Sequence, residues 1–435
     1  MCKEGGLVNI VFFTQYFPNP NQPGGSRAWM LAKYFGSLEH ELKVVCSQGD
    51  YTTGNAYKNE NNDENLNNSL PHVSVHKVPT ILLGKSFIGR ILQYLSFAFF
   101  ALIKGLSFQN NDVILASSPP IFVGLVGLIT AKIKGCKFVL EIRDPWPDAL
   151  IHFEVVKSKI VIKLLYQLEK YLNSKADLIV ALTPGIKRIL LEKGVPEDKV
   201  IVITNGYDPE IFEDKVDNEE QMTGDICTET EKTRQTKIIY IGSLGNINET
   251  EMLMDVVIRL ADEPEIVFQF IGSGNKKEEM MATAMKKKLT NIEFLPSVPK
   301  KAIALYLRAS DIAIVATHPG LYSQIGLHNK LFDYLGSYLP VVASGEGDLA
   351  KLINDAHGGI VVKPRDVMAM VKAIKYLHNN PDEARTMGED GRNHVAKFYN
   401  RFLLLQEYEK AVSKLVFKED RKDESKKVSF CKKTF

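Results

Sequence analysis

Cysteine is scarce and scattered in this chain of 435 residues: Cys2, Cys46, Cys136, Cys227 and Cys431, with no two at Cys-x-x-Cys spacing. That argues against a disulfide framework or a zinc knuckle and points to a reducing, cytoplasmic setting. An excess of one charge is missing too, since 54 Lys and Arg against 52 Asp and Glu leave a formal net charge of +2. No global field therefore draws the chain to nucleic acid. No apolar run reaches the length of a membrane span. The nearest, Phe87 to Leu106, is interrupted by Arg90, Gln93 and Lys104. The run Leu7 to Phe13 is too short for a signal segment and leads into a polar Gly/Pro-rich loop, so it reads as a buried first strand. There is no Asp-x-Asp motif and no repeat of fixed period. No obligatory metal or other cofactor is expected.

What is present is the balance of a globular protein, 45% apolar and 24% charged, in a chain too long for one ordinary core. Short β-branched runs recur from Val8–Phe13 to Val200–Ile203 and again from Lys237–Ile241 to Gly359–Val362. Helical patterns such as Ser26–Gly36, Lys157–Ser174 and Asn329–Tyr338 separate many of them. Alternation of this kind implies parallel sheets covered on both faces, with ligands beyond the carboxyl ends of the strands. Residues 213–236 are polar without apolar periodicity and read as a linker between domains at 1–212 and 237–395. Pro381 to Val416 forms one long helical pattern, and residues 418–435 read as a frayed tail.

Several residues sit where chemistry is expected. Gly24-Gly25 lets backbone approach a phosphate or acceptor closely, with Arg27 at the opening of a helix; an ordinary tight turn is the alternative. Asp144, beside Arg143, follows the strand pattern Phe138–Ile142, in a stretch crowded with Glu141 and Asp148 around Trp146. There it either accepts a proton from a substrate hydroxyl or caps the next turn. Lys330 opens a helix near His328-Asn329, where its ammonium and the helix N–H groups suit an anion, with Asp333 one turn on; an ordinary surface ion pair between the two is the alternative. Gly242, Gly245 and Asn246, and then Gly272 and Gly274, follow two further strands without a complete dinucleotide fingerprint.

Read together, these segments resemble one family, the GT-B glycosyltransferases of family 4, and within it the L-fucosamine transferase-like enzymes of bacterial O-antigen and capsule synthesis. The resemblance rests on Gln15-Tyr16-Phe17-Pro18 with Gly24-Gly25-Ser26-Arg27, on Arg143-Asp144-Pro145-Trp146-Pro147, and on Asn205-Gly206-Tyr207-Asp208. Ile241-Gly242-Ser243-Leu244-Gly245, Ile271-Gly272-Ser273-Gly274 and Lys330-Leu331-Phe332-Asp333-Tyr334 continue it in order. It implies an α/β fold of two Rossmann-like parallel-sheet domains facing a central cleft. Residues 396–417 would return to the first domain as a helix.

The resemblance also implies a retaining transfer of an N-acetylated or deoxy hexose from a nucleotide-diphosphate donor, UDP by preference. The acceptor would be lipid-linked or a polysaccharide. Donor contacts would fall to Gly25, Arg27, Gly242, Gly245, Asn246, Gly272, Gly274, Val298, Asn329, Lys330 and Asp333, and catalysis to Asp144 with Arg143. Asp333 would hold the ribose, with Val298 near the base. The chain departs from the family's Glu-x7-Glu by placing Ile325 at the first acidic position. Residues 87–106 suit an interfacial helix on the inner leaflet, or a buried core helix with cationic ends. The rival functions are a UDP-sugar 2-epimerase on the same scaffold and a non-catalytic nucleotide-sugar-binding protein.

Overall fold

Strands covered on both faces by helices bury nearly every residue, and these do: Val113–Ser118 is buried throughout and Asn9–Thr14 from its second residue on. The computed structural model describes residues 6–19, 27–49, 70–82, 87–212, 235–245 and 248–431. The Gly24-Gly25 loop, Asn246 and most of the linker expected at 213–236 lie outside the described residues. The chain forms two units, one of residues 1–204 with 402–435 and the other of residues 205–401.

The first unit holds a seven-stranded parallel sheet: β1 (Asn9–Thr14), β2 (Glu41–Ser47), β3 (Val73–Val78), β4 (Val113–Ser118), β5 (Lys137–Ile142), β6 (Leu178–Ala181) and β7 (Val200–Val202). Its spatial order is β3-β2-β1-β4-β5-β6-β7, so the chain reverses direction across the sheet between β1 and β4. The connections carry helices α1 (Arg27–Ser37), α2 (Phe87–Ser107), α3 (Ile121–Lys134), α4 (Asp148–His152), α5 (Lys159–Lys175) and α6 (Pro184–Glu192). Their ends follow from local chemistry. Gly135 ends α3 in the left-handed region at φ 68°, its N–H donating to Ala131 O. Thr183 opens α6 by accepting from the Ile186 N–H, with Pro184 at the first turn. On one face of the sheet Ile10, Phe12, Val44 and Leu115 pack with Trp29 and Phe35 of α1 and with Leu405, Tyr408 and Val412 near the carboxyl terminus.

The second unit opens on α7 (Pro209–Phe212) and holds six parallel strands in the order β10-β9-β8-β11-β12-β13. They are β8 (Thr236–Ile241), β9 (Ile266–Ile271), β10 (Ile292–Leu295), β11 (Ile312–Ala316), β12 (Val341–Ser344) and β13 (Gly359–Val362). Between them run α8 (Thr250–Arg259), α9 (Lys277–Lys286), α10 (Lys300–Arg308), α11 (Leu321–Ile325), α12 (Asn329–Gly336) and α13 (Gly347–Asp355), followed by α14 (Val367–Asn379) and α15 (Pro381–Phe398). The last helix, α16, runs Arg401–Cys431.

Two expectations change. Residues 205–212 pack with the second unit instead of closing the first: Tyr207 is fully buried and stacks on Phe212 at 5.8 Å. Its N–H donates to Tyr399 O, and Arg401 forms a buried pair with Asp208 at 2.8 Å. The long helical pattern from Pro381 is two helices, broken at Tyr399 and Asn400 where Asn400 bridges to Tyr207. The residues expected as a frayed tail continue the helical backbone to Cys431, in keeping with their Lys, Glu and Arg content.

Candidate functional site

In the second unit the loops after β8 and β9 cross at van der Waals distance, and glycine makes this crossing possible. A Cβ on Gly272 would stand 1.9 Å from Gly242 O, and one on Gly274 would stand 2.0 Å from Leu244 O. Both glycines therefore serve backbone packing first. Gly242, at φ 141°, leaves room for an ammonium instead: its absent Cβ would lie 3.2 Å from Lys330 Nζ. Gly245 packs near Asn275 Oδ1.

Lys330, in the first turn of α12, is the centre of this place. Its Nζ donates to Tyr240 Oη and to Asn248 Oδ1, both at 2.9 Å, and stands 4.3 Å from the Tyr240 ring centre. Tyr240 Oη and Asn248 Nδ2 both donate to Ser243 O, which ties the β8 loop into the same network. All these partners are neutral. Burial therefore pushes the Lys330 ammonium down to about 7. His328, which precedes α12, is held neutral, its imidazole lowered to about 3 by burial and then by Lys330, and its Nε2 has no partner. A half-charged lysine at a helix amino terminus, among neutral donors, is suited to an anion that arrives from outside.

Asp333 and Lys330 share a helix but do not pair, so the surface ion pair that their spacing allowed is not what forms. Asp333 is 7% exposed, and Lys300 Nζ lies 3.4 Å from its Oδ1. At that distance the attraction is Coulombic, and Oδ1 has no hydrogen-bond partner of its own. Burial lowers the Lys300 ammonium, with Asp333 opposing. Val298 lies half-buried in the loop between β10 and α10, and Asn329 opens α12. Tyr240, Asn248 and Lys300 carry no motif, and only the tertiary structure reveals them.

Arg27, expected at the donor, is used inside the fold: Nε donates to Glu141 Oε2 at 3.0 Å, Nη1 to Thr204 O and Nη2 to Ile203 O, both at 2.9 Å. Glu141 is 1% exposed and also accepts from Ser117 Oγ at 2.8 Å. Burial alone would raise its carboxyl; Arg27, with Arg143 and Ser117, outweighs burial and holds it below the usual carboxylate range. The guanidinium thus fastens α1 to β5 and to the segment after β7.

Asp144 lies just past β5, where burial raises its carboxyl against the pull of Arg143. It lines a recess with Ser118, Trp146, Asn173 and Leu190 of about 20 Å³, room for one water. Arg143 gives its N–H to Ser118 O, while its Nε is buried without a partner. Asp148 is engaged elsewhere: it accepts from Tyr166 Oη at 2.8 Å and pairs with Lys193, which also holds Glu169 at 2.7 Å. Burial first, then Asp148, pushes the Tyr166 hydroxyl up to about 12.

The helix expected over 87–106 forms as α2, with Ile91, Leu95, Phe99 and Ile103 exposed. No described helix is long and apolar enough to cross a membrane.

Comparison with known proteins agrees with this architecture. Residues 24–211 match the family described as "Glycosyltransferase Family 4", and residues 235–380 match "Glycosyl transferases group 1". Among curated relatives, the putative colanic acid biosynthesis glycosyl transferase WcaI of Escherichia coli is 26% identical over 331 residues, 72% of this chain and 80% of that protein. The probable glycosyltransferase WbjE of Pseudomonas aeruginosa is 22% identical over 312 residues, 71% of this chain and 76% of its own. Among solved structures, Anabaena Alr3699/HepE in complex with UDP aligns with a TM-score of 0.67 at 14% identity, covering 93% of this chain and 100% of that one. WaaG, a glycosyltransferase involved in lipopolysaccharide biosynthesis, aligns at 0.64 with 13% identity, covering 94% and 99%. Two doubly wound parallel sheets, each matched by its own glycosyltransferase family, place this chain among the GT-B glycosyltransferases of family 4.

Proposed function

We propose that this enzyme moves a sugar, an N-acetylated or deoxy hexose, from a UDP-sugar to a lipid-linked or polysaccharide acceptor, with retention of anomeric configuration, in cell-surface glycan synthesis. The observation that carries the reading is Lys330, a part-charged ammonium at the start of α12 held only by neutral groups. Departure of a nucleoside diphosphate concentrates negative charge on the β-phosphate, and a preorganised cation with helix N–H groups stabilises it. Asp333, whose Oδ1 faces Lys300 without a hydrogen bond to it, takes the ribose hydroxyls. Relatives favour the same biology, colanic acid synthesis for WcaI and O-antigen mannosyl transfer for a protein 22% identical over 268 residues.

No metal is assigned to the reaction, because Lys330 and α12 supply the positive charge. Asp144 is the acceptor-side base, its raised carboxyl brought nearer to the working pH. The exposed apolar face of α2, flanked by Arg90 and Lys104, rests on the inner leaflet where a lipid-linked acceptor is found.

The test is a thermal-shift panel of UDP, GDP, ADP, CMP and dTDP, with and without magnesium. A ligand that binds only the folded state raises the melting temperature by mass action. The expected result is a selective shift with UDP that magnesium does not change; no shift with any nucleotide sinks the reading. A second expected result concerns Asp144→Asn, which lowers turnover by about 100-fold with unchanged UDP shift. Unaltered turnover in a folded Asp144→Asn protein removes the base from the mechanism.

A further inference from the structure

One face of the first unit's sheet is covered by α2, α3 and α5, which lie side by side. A Cβ on Gly105 of α2 would stand 3.3 Å from Thr130 Oγ1 of α3, and one on Gly124 of α3 would stand 3.1 Å from Leu172 of α5. These helices carry eight Lys and Arg between them and a single acid, Glu169, which is buried and held by Lys193. The chain as a whole is nearly balanced, so cations are concentrated here. Large apolar side chains stand out among them. Leu95, Phe99 and Ile103 on α2, Ile133 on α3, and Ile160 and Leu164 on α5 are each 46% exposed or more. Apolar residues interleaved with lysine, with no exposed acid on any of the three helices, suit an anionic bilayer, which buries the former and neutralises the latter.

The two outer helices of this face also hold the Asp144 loop. On α2, Tyr94 meets Trp146 edge to face at 6.1 Å. On α5, Leu172 and Asn173 wall the recess in which Asp144 and Trp146 stand. Trp146 is tied to Asp144 in turn, its N–H donating to Asp144 O at 3.0 Å. The two ends of α2 are seated unequally. Near its carboxyl end the packing is tight, since a Cβ on Gly105 would meet the Phe13 ring at 2.4 Å. Near its amino end the inward residue is Gln93, whose buried Nε2 has no hydrogen-bond partner, and Tyr94 follows it directly. A buried amide left unmade weakens the seating of that half. Its position thus depends on what covers its outer side, and Tyr94 moves with it.

We infer that an anionic bilayer bound by α2, α3 and α5 fixes the position of Asp144, with Tyr94 as the positioning residue that carries the effect through Trp146. This rests on the transferase reading, in which Asp144 is the acceptor-side base, and it goes beyond anchorage. The lipid surface is a ligand that selects one arrangement of the Asp144 loop. A ligand shifts such an equilibrium only through differential affinity. The outer face of α2 supplies it, because lipid buries that face completely only where the helix is seated along its whole length. Transfer is therefore fastest on the membrane and slow in free solution.

The test uses the full chain with vesicles of phosphatidylglycerol and phosphatidylethanolamine, and with vesicles of phosphatidylcholine alone. Sedimentation is expected to show binding to the anionic vesicles only, weakened roughly thirtyfold when Lys159→Gln and Lys163→Gln are combined. On those vesicles, hydrogen exchange at the N–H groups of Trp146, Ala149 and Leu150, each bonded within the loop, should slow about tenfold. Tyr94→Leu should bind the same vesicles as tightly and lose the slowing, while Tyr94→Phe, which keeps the ring, should retain it. In a Trp29→Phe protein Trp146 is the one remaining tryptophan, and its emission should shift on anionic vesicles alone. Equal slowing in wild type and Tyr94→Leu would mean that lipid merely covers the loop, and that result overturns the inference. So does equal binding to both kinds of vesicle, or binding that changes neither exchange nor emission. A UDP thermal shift judges the donor reading separately: its absence with the vesicle effect intact sinks that reading alone, and its presence without any vesicle effect sinks this inference alone.

Discussion

Lys330→Met is expected to weaken UDP binding by about 100-fold while leaving the unliganded protein as stable as before or slightly more so. The loss follows from removing a charge-assisted contact to phosphate, an effect on the order of 2–3 kcal/mol in a partly buried site. The retained stability follows because the ammonium is charged at a cost in the free protein, its neutral partners Tyr240 and Asn248 failing to offset burial. Its folded value of about 7 lies below the unfolded lysine value. The unfolded chain therefore holds a proton that the folded chain lacks, from about pH 7 up to the ordinary lysine range. Across that window this group's penalty on the fold fades as pH rises.

Binding runs the other way, since the nucleotide favours the charged form. Phosphate monoesters lose their last proton near pH 6, so UDP is fully ionised from roughly pH 7.5 upward. Over roughly pH 7.5 to 9 the wild-type affinity should fall, approaching tenfold per pH unit, with proton uptake visible by calorimetry in two buffers. The methionine variant should show neither trend. Equal UDP affinity in both proteins across that range would remove Lys330 from the donor site.

The second large effect is on stability. Glu141→Ala should destabilise the first unit by about 3–5 kcal/mol, because Arg27 is left charged and buried without its carboxylate. Arg27→Met combined with Glu141→Leu should recover part of that loss. It cannot recover all of it, since Ile203 and Thr204 then lose the donor to their carbonyls. The pair's contribution has a pH signature. The folded Glu141 carboxyl lies below its unfolded value, so the stabilisation is present above the ordinary carboxylate range and is lost as pH falls through the depressed one. Urea unfolding followed by tryptophan fluorescence reads this selectively, because Trp29 and Trp146, the chain's two tryptophans, both lie in the first unit. A Glu141→Ala midpoint equal to wild type would mean that the pair contributes nothing.

Much of the fold was legible in the residues. The run Gly359–Val362 coincides with β13 to the residue and Lys237–Ile241 with β8 to within one, because the mostly apolar strands of a covered parallel sheet stand out between polar turns. Helix α3 was not legible: Ile121–Lys134 is apolar nearly all round, so it has no polar face to set its period apart from a strand's. The boundary at 204 was missed since Asn205–Phe212 reads as a loop, and its allegiance is fixed by contacts to Tyr399 and Arg401, some 190 positions away.

The site divides in the same way. Lys330 and Asp333 were visible from their place at a helix start after a strand, a local signal. Arg27 was visible at a helix start, but its partner Glu141 stands 114 residues on and nothing nearby announces it. Glycines 272 and 274 looked like phosphate loops and are required by the crossing of two backbones.

The first unit is assembled from both ends of the chain, with Leu405, Tyr408 and Val412 completing the core that begins at Val8. On the ribosome those three residues emerge only after the whole of residues 205–401. The second unit, one continuous stretch, has its full sequence available earlier and can form as a unit during synthesis. The first must wait with Phe12, Trp29 and Phe35 uncovered on that face of its sheet. A nascent chain arrested near residue 400 would therefore present a finished second half and a sticky first half. Chaperone demand in the cell should fall on the half that is made first.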